Sequence, residues 1–317
     1  MSDMEKNSRI YVCGHTGMLG TAIWDRLKTE GYQNVFGETQ QALDLCDRQA
    51  VEKYFIEKKP EYVFFVAAVA AGINYKKAHS AEILLDNMEM ITNIIPLSQK
   101  YGVKKIINVC SALFYPSDAS IPIKEEEATK VFTREIDSPY ALAKATGERL
   151  CNYYNMQYGT NFVTVVPCNF FGPKAPFTGD RAGVVPSIIR RMNEAKDTNQ
   201  PEVVIWGTGN ACREFLHVDD VADACIFIMN HDEEYKLINV GRGNENTIRE
   251  TAELIKRVTG YQGELVFDAT KPEGRQHMQL NVEKLMSLGW KPKYTLEESL
   301  DKTNKWFLEN KKEVFHE

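Results

Sequence analysis

The 317-residue chain has no apolar stretch near the roughly 20 residues that span a bilayer, so no membrane association is expected. It has no cluster of lysines or arginines and a net charge of -6, which argues against nucleic acid as a partner. A few arginines could still bind an anion locally. Its seven cysteines are odd in number and show no paired spacing. Reduced thiols in a cytoplasmic protein are therefore expected, not a disulfide framework. No Cys/His spacing resembles a zinc site, so no metal is expected. Internal repeats, low-complexity tracts and free linkers are missing too. Met1 to Ser8 is polar, and the apolar run after it has strand length, which argues against a signal peptide.

What is present is a rhythm of short apolar runs and helical patterns. Strands are expected at Arg9–Cys13, Asn34–Phe36, Tyr62–Ala67, Lys105–Cys110 and Phe162–Val166. Helices are expected at Met18–Thr29, Asp47–Lys58 (with Asp47 as N-cap), Glu82–Tyr101 and Pro139–Tyr158. The alternation predicts an α/β fold: a Rossmann-type, doubly wound parallel sheet covered by helices on both faces. After Pro167 the rhythm loosens. Asn169–Arg181 reads as a substrate-facing loop. Beyond it come a helix at Val184–Ala195, a strand at Val203–Trp206, a helix at Asp219–Asn230 and a strand at Lys236–Val240. We expect residues 1–170, with about 214–245, to form a dinucleotide-binding domain. About 171–213 and 246–317 would form a smaller α/β substrate lobe.

Gly14-His-Thr-Gly17-Met-Leu-Gly20 lies directly between the first strand and the first helix. The first glycine permits a tight turn. The second lets the backbone approach a pyrophosphate at the helix N-terminus, and the third permits close helix–strand packing. This context predicts dinucleotide binding. Glu38 ends the second strand, 18 residues after Gly20, and no Arg or Lys lies between Gly31 and Asp47. A carboxylate there suits the ribose hydroxyls and repels a 2′-phosphate, which favours NAD(H), with NADP(H) as the alternative.

Tyr140-Ala-Leu-Ala-Lys144 places a phenol and an ammonium one helical turn apart on one face. A nearby cation favours the phenolate, so Tyr140 is expected to pass a proton more easily than a free tyrosine. Ser111 follows an apolar run, where the carboxyl edge of a parallel sheet should face the cofactor. The three form a candidate catalytic set for interconverting a carbonyl and an alcohol. Ser111 would hold the reacting oxygen, Tyr140 would move the proton, and Lys144 would bond the nicotinamide ribose. His217, before Val-Asp-Asp, reads as part of a structural polar cluster.

These residues resemble the extended short-chain dehydrogenase/reductase superfamily, and more narrowly the GDP-L-fucose synthase (GDP-4-keto-6-deoxymannose epimerase/reductase) family. The resemblance covers nearly the whole chain. It runs through Gly14–Gly20, Phe114–Pro116, Tyr140–Lys144, Pro167–Pro173, Val184–Arg191, Val204–Gly207, Arg213–Asp220, Ile238–Gly241, Thr247–Glu250 and Phe267–Pro272. It implies a GDP-linked sugar as substrate and a homodimer as the usual state. By this resemblance Asn169, Val184, Arg191, Trp206 and Arg213 would hold nucleotide or diphosphate, with Leu113 beside the sugar. Arginine forks suit diphosphate, and an indole suits a base or ribose face. Candidate cofactor residues are Gly14, Thr16, Gly17, Met18, Leu19, Gly20, Glu38, Ala67, Tyr140, Lys144 and Pro167.

The chain departs from the family in three ways. Leu113 and Gly183 stand where the family carries its epimerisation Cys and His. Removing and returning a carbon-bound proton needs an acid/base pair, and neither residue can serve. Thr16, Glu38 and Gln40 stand where the family carries arginines for a 2′-phosphate. Met278 replaces a lysine near the nucleotide. The expectation is therefore a C4-reductase of a GDP-4-keto-6-deoxyhexose or GDP-4-keto-heptose, without 3,5-epimerase activity. A bifunctional GDP-L-fucose synthase using other residues, a C4-dehydrogenase and a non-catalytic nucleotide-sugar-binding regulator remain as alternatives.

Overall fold

Arg9–Cys13 forms strand β1, and its side chains leave it alternately. Ile10 and Val12 join the core on one side, Tyr11 and Cys13 the core on the other. The computed structural model describes residues 4–70, 78–133, 138–231, 235–271 and 273–314. Met1–Asp3 and Pro272, cited above, lie outside the described residues.

Four more strands follow β1 into the sheet: β2 (Asn34–Phe36), β3 (Tyr62–Phe65), β4 (Lys105–Val109) and β5 (Phe162–Pro167). Helices α1 (Met18–Thr29), α2 (Arg48–Lys58), α3 (Ser80–Lys100) and α4 (Pro139–Tyr158) alternate with them. Asp47 caps α2 by accepting from the Gln49 and Ala50 amides, as its position suggests. Later in the chain come β6 (Asn169–Phe171), α5 (Val184–Asp197), β7 (Glu202–Trp206), β8 (Cys212–Arg213) and β9 (Phe215–His217). Then follow α6 (Val218–Met229), β10 (Leu237–Val240), β11 (Asn246–Thr247), α7 (Ile248–Thr259) and β12 (Glu264–Asp268). Helices α8 (Glu283–Ser287), α9 (Leu296–Glu309) and α10 (Lys311–Val314) end the described chain.

The sheet runs β10-β5-β4-β3-β1-β2, with every pair parallel. Helices α1 and α6 pack on the face shared by Ile10, Val12 and Phe64. Helices α2, α3 and α4 pack on the face of Tyr11, Cys13 and Phe65. This is the expected doubly wound sheet. The chain leaves β1 to one side for β2 and returns past it for β3. That reversal opens a crevice at the carboxyl ends of β1 and β3, where α/β sheets of this kind bind ligands.

A third apolar cluster lies apart from the sheet. It joins Phe171 and Phe177, Val185, Ile188, Ile189 and Met192 of α5, Val203 and Ile205 of β7, Ile248 and Ile255 of α7, and Leu300 and Phe307 of α9. One expectation fails here. Asn169–Phe171 is not loop but the strand β6, paired in parallel with β9. The flanking Pro167 and Pro173 mask this three-residue apolar run, and its partner lies far along the chain.

Candidate active site

The glycine turn after β1 is as tight as its sequence requires. Gly14 has φ +88, and a Cβ there would meet the Ala67 Cα at 2.8 Å. A Cβ on Gly20 would lie 2.0 Å from the Gly14 carbonyl oxygen. Gly17 is the N-cap of α1; no side chain caps this helix, and no acidic residue lies in its first turn. Its first amides and dipole therefore face the crevice without a built-in anion. Thr16, Met18 and Leu19 belong to the same turn, with Leu19 buried. Across the crevice, Asn87 of α3 bonds both the amide (3.1 Å) and the carbonyl (3.0 Å) of Val69. It thereby holds the segment that continues from Ala67. These features fit a dinucleotide, with the pyrophosphate at the α1 N-terminus and the ribose near Glu38.

Glu38 is exposed, two residues beyond β2. Its charge is felt by Tyr54, whose phenol is pushed up by burial and then by Glu38. Sequence reasoning passed over His15. Its ring lies 5.1 Å from the Trp24 ring, and its Nδ1 is buried without a partner. A Cβ on Gly37 would come within 2.7 Å of that nitrogen. The orphaned nitrogen thus sits against the turn that leads to Glu38.

The candidate catalytic residues converge from two elements. Helix α4 starts where Ser138 accepts from the Ala141 amide and Pro139 supplies the first turn. This start puts Tyr140 in the first turn and Lys144 one turn later. Lys144 is only 4% exposed, and its Nζ lies 5.8 Å from the Tyr140 ring centroid. Its ammonium donates to the Val109 carbonyl at 2.8 Å, at the end of β4. Ser111 comes two residues later. Its Oγ accepts from the Leu113 amide at 3.3 Å, capping a short turn at Ala112–Phe114, and it lies near enough to Tyr140 to pull that phenol down. The three side chains are thus brought together at the carboxyl edge of the sheet.

The electrostatics differ from expectation. Tyr140 is pushed up, not down, by burial and then by Cys110; only the Ser111 hydrogen bond pulls the other way. Lys144 is pulled down to about 8, because burial disfavours its charge. Burial of the phenol thus outweighs the help that the helical spacing of Lys144 suggests. Proton transfer from Tyr140 therefore depends on Ser111 and on charge arriving at the site. Cys110 lies behind the trio, donating to the Lys144 carbonyl at 3.5 Å, its thiol pushed up to about 12 by burial.

The remaining candidates have less uniform surroundings. Pro167 ends β5 and Asn169 opens β6. Leu113 is 37% exposed on the turn after Ser111. Gly183 caps α5, and Val184, its first residue, is exposed. Arg191 donates to the Ser187 and Val204 carbonyls, whereas its neighbour Arg190 takes the Glu194 carboxylate. Arg213 donates to the carbonyls of Cys212 (2.6 Å) and Glu273 (3.0 Å). Burial lowers the pKa of both Arg191 and Arg213, so a diphosphate is the kind of anion that would relieve them. Trp206 is 57% exposed and serves no core. Met278 is buried. His217 is fully buried, caps α6 by accepting from the Asp219 amide, and is pulled down to about 4 by burial. It is structural, as expected.

Residues 10–241 match the NAD dependent epimerase/dehydratase family. The chain belongs to that family. It is an enzyme of the short-chain dehydrogenase/reductase superfamily, and its cofactor is of the NAD(P) type. GDP-L-fucose synthase 1 of Arabidopsis thaliana is 39% identical over 310 residues, covering 98% of this chain and 95% of that protein. Among solved structures, a GDP-6-OMe-4-keto-L-xylo-heptose reductase from C. jejuni superposes with a TM-score of 0.90 at 33% identity. It covers 98% of this chain and 100% of that one. A GDP-mannoheptose C4 reductase from Campylobacter jejuni, with NADP bound, gives 0.86 at 34% identity, covering 96% and 99%. Among the described residues of this epimerase/dehydratase-family protein, no helix is long and apolar enough to cross a membrane.

Proposed function

We propose that this protein reduces the C4 ketone of a GDP-linked 4-keto-6-deoxyhexose or 4-keto-heptose to an alcohol, without epimerising C3 or C5. When bound, the dinucleotide supplies the hydride. Ser111 holds the ketone oxygen by hydrogen bond. Tyr140 gives that oxygen its proton as negative charge develops on it. Lys144 orients the nicotinamide ribose. Gly14, Thr16, Gly17, Met18, Leu19, Gly20, Ala67 and Pro167 frame the dinucleotide. Asn169, Val184, Arg191, Trp206 and Arg213 hold the GDP moiety against the lobe built from about 171–213 and 246–317, with Leu113 beside the sugar.

One observation carries the absence of epimerisation. Leu113, partly exposed on the Ser111 turn, and Gly183, at the start of α5, bear no titratable group. The nearest thiols in sequence, Cys110 and Cys168, are buried, and burial holds both thiols up. Neither makes a ready base. The test is to run the reaction in deuterated water and read the product by proton NMR. Deuterium delivered from solvent to C3 or C5 would sink the reductase reading in favour of a bifunctional synthase.

For the cofactor, Glu38 supports NAD(H), since its carboxylate repels a 2′-phosphate. NADP(H) is the second reading, favoured by the solved relatives that hold NADP or NADPH. Calorimetry with NADH and NADPH separates the two; tighter NADPH binding overturns the role given to Glu38.

A further inference from the structure

Three short segments meet beside Arg213, and each brings one metal-ligating side chain. Cys212 belongs to β8, Glu245 precedes β11, and His277 lies on the segment after Glu273. The backbone fixes all three. Strand β8 pairs antiparallel with β11, Cys212 opposite Thr247 and Arg213 opposite Asn246. The Cys212 amide donates to the Gln276 carbonyl at 2.7 Å, and the Met278 amide donates to Glu245 Oε2 at 3.3 Å. His277 Nδ1 lies 2.5 Å from Glu245 Oε1. The thiol sulfur, the carboxylate oxygen and the imidazole nitrogen all lie within 4.8 Å of one another.

We propose that Cys212, Glu245 and His277 form a zinc site with an open fourth position. The donor set of one sulfur, one imidazole and one carboxylate suits zinc; magnesium and calcium prefer oxygen alone. Tetrahedral zinc at about 2.0–2.3 Å from each donor places neighbouring donors about 3.3–3.6 Å apart. The three ligand atoms, within 4.8 Å of one another, bracket that spacing, with the His277–Glu245 pair now closer, at 2.5 Å. The ion would replace the hydrogen bond between His277 and Glu245 and the one that the Cys212 thiol donates to the Asn210 carbonyl at 3.4 Å, with the thiol proton released to solvent.

Occupancy has a structural consequence. Arg275, on the same segment as His277, donates to the carbonyls of Tyr115 (3.0 Å) and Pro116 (3.4 Å), just beyond the Ser111 turn. Zinc would anchor this segment to β8. The second cluster of possible ligands among the described residues, Cys46, Asp86 and Glu89, has no imidazole.

The test is zinc titration of the chelator-stripped full chain by calorimetry, with X-ray absorption at the zinc edge. One site with one sulfur near 2.3 Å is expected. Partners one shell further out are worth about 10–100-fold in metal affinity, so Cys212→Ser and His277→Ala should each weaken binding at least tenfold. Cys46→Ser should leave it unchanged. Metal-free thermal midpoints establish that the variants fold. No binding, a shell without sulfur, binding that survives both site variants, or loss in Cys46→Ser each overturns the proposal. The readout is metal binding and not turnover, so its failure is distinct from failure of the reductase reading.

Discussion

The Lys144 ammonium donates to the Val109 carbonyl, tying the catalytic helix α4 to the end of β4 two residues before Ser111. One hydrogen bond thus sets the distance between the strand that carries Ser111 and the helix that carries Tyr140. Ser111 in turn pulls the Tyr140 phenol down, so the two hydroxyls act on one neighbourhood. Tyr140→Phe removes the proton and little else. We expect kcat on the 4-keto GDP-sugar to fall by about 10²–10⁴, the usual worth of a positioned general acid. Dinucleotide affinity should change far less than kcat, which calorimetry with the cofactor alone checks. Turnover equal to that of the parent would remove Tyr140 from its assigned role.

Burial of Lys144 makes its own prediction. Its value is held down to about 8 against an ordinary 10.5. Below pH 8 the folded and unfolded chains both carry the proton, and the folded chain bears the full cost of burying the charge. Between about 8 and 10.5 the unfolded chain binds more protons, so this contribution to stability rises with pH. The window is worth on the order of 3 kcal/mol. Lys144→Met has no such titration. Its stability advantage over the parent, measured by urea unfolding without cofactor, should shrink steadily from pH 8 to 10.5. A constant difference across that range would show that the ammonium is not desolvated.

The glycine turn predicts a steric effect. A Cβ on Gly20 would sit 2.0 Å from the Gly14 carbonyl oxygen, which is backbone and cannot rotate away. Gly20→Ala should therefore push α1 off β1, costing about 1–3 kcal/mol in stability and weakening dinucleotide binding. Chemical denaturation and calorimetry read the two separately. The same change at Gly31, where a Cβ meets nothing within 4 Å, gives a useful contrast. It strains only the backbone, at φ +86, and should leave dinucleotide binding intact.

Much of this was legible in the sequence because it is local. Helix α4 spans the expected residues, Asp47 caps α2, and Gly14–Gly20 fills its expected turn, since each depends on near neighbours. The pairs β6–β9 and β8–β11 were not legible. Strands of two or three residues carry no periodicity, and their partners lie more than thirty residues away. The direction of the Tyr140 shift was misread for a related reason. The helical spacing shows Lys144, but it does not show how deeply β4 and the Ser111 turn bury both groups. Cys212, Glu245 and His277 escaped notice because no two of them share a segment.

Leu113 and Gly183 allow the reductase reading to be tested by gain instead of loss. Leu113 is partly exposed on the Ser111 turn, and Gly183 begins α5 in extended conformation with φ -74, where any residue fits. A Cβ on Gly183 would meet only the Pro186 ring, at 3.5 Å, so a side chain can enter there. The double substitution Leu113→Cys with Gly183→His supplies a thiol and an imidazole, the two proton carriers that epimerisation beside a ketone needs. In deuterated water, the parent should give product free of solvent deuterium at C3 and C5, and the double variant should give product labelled there. Each single variant supplies only half the pair and should label at most weakly. If the double variant reduces the ketone yet incorporates no deuterium, these two missing groups do not account for the reductase reading.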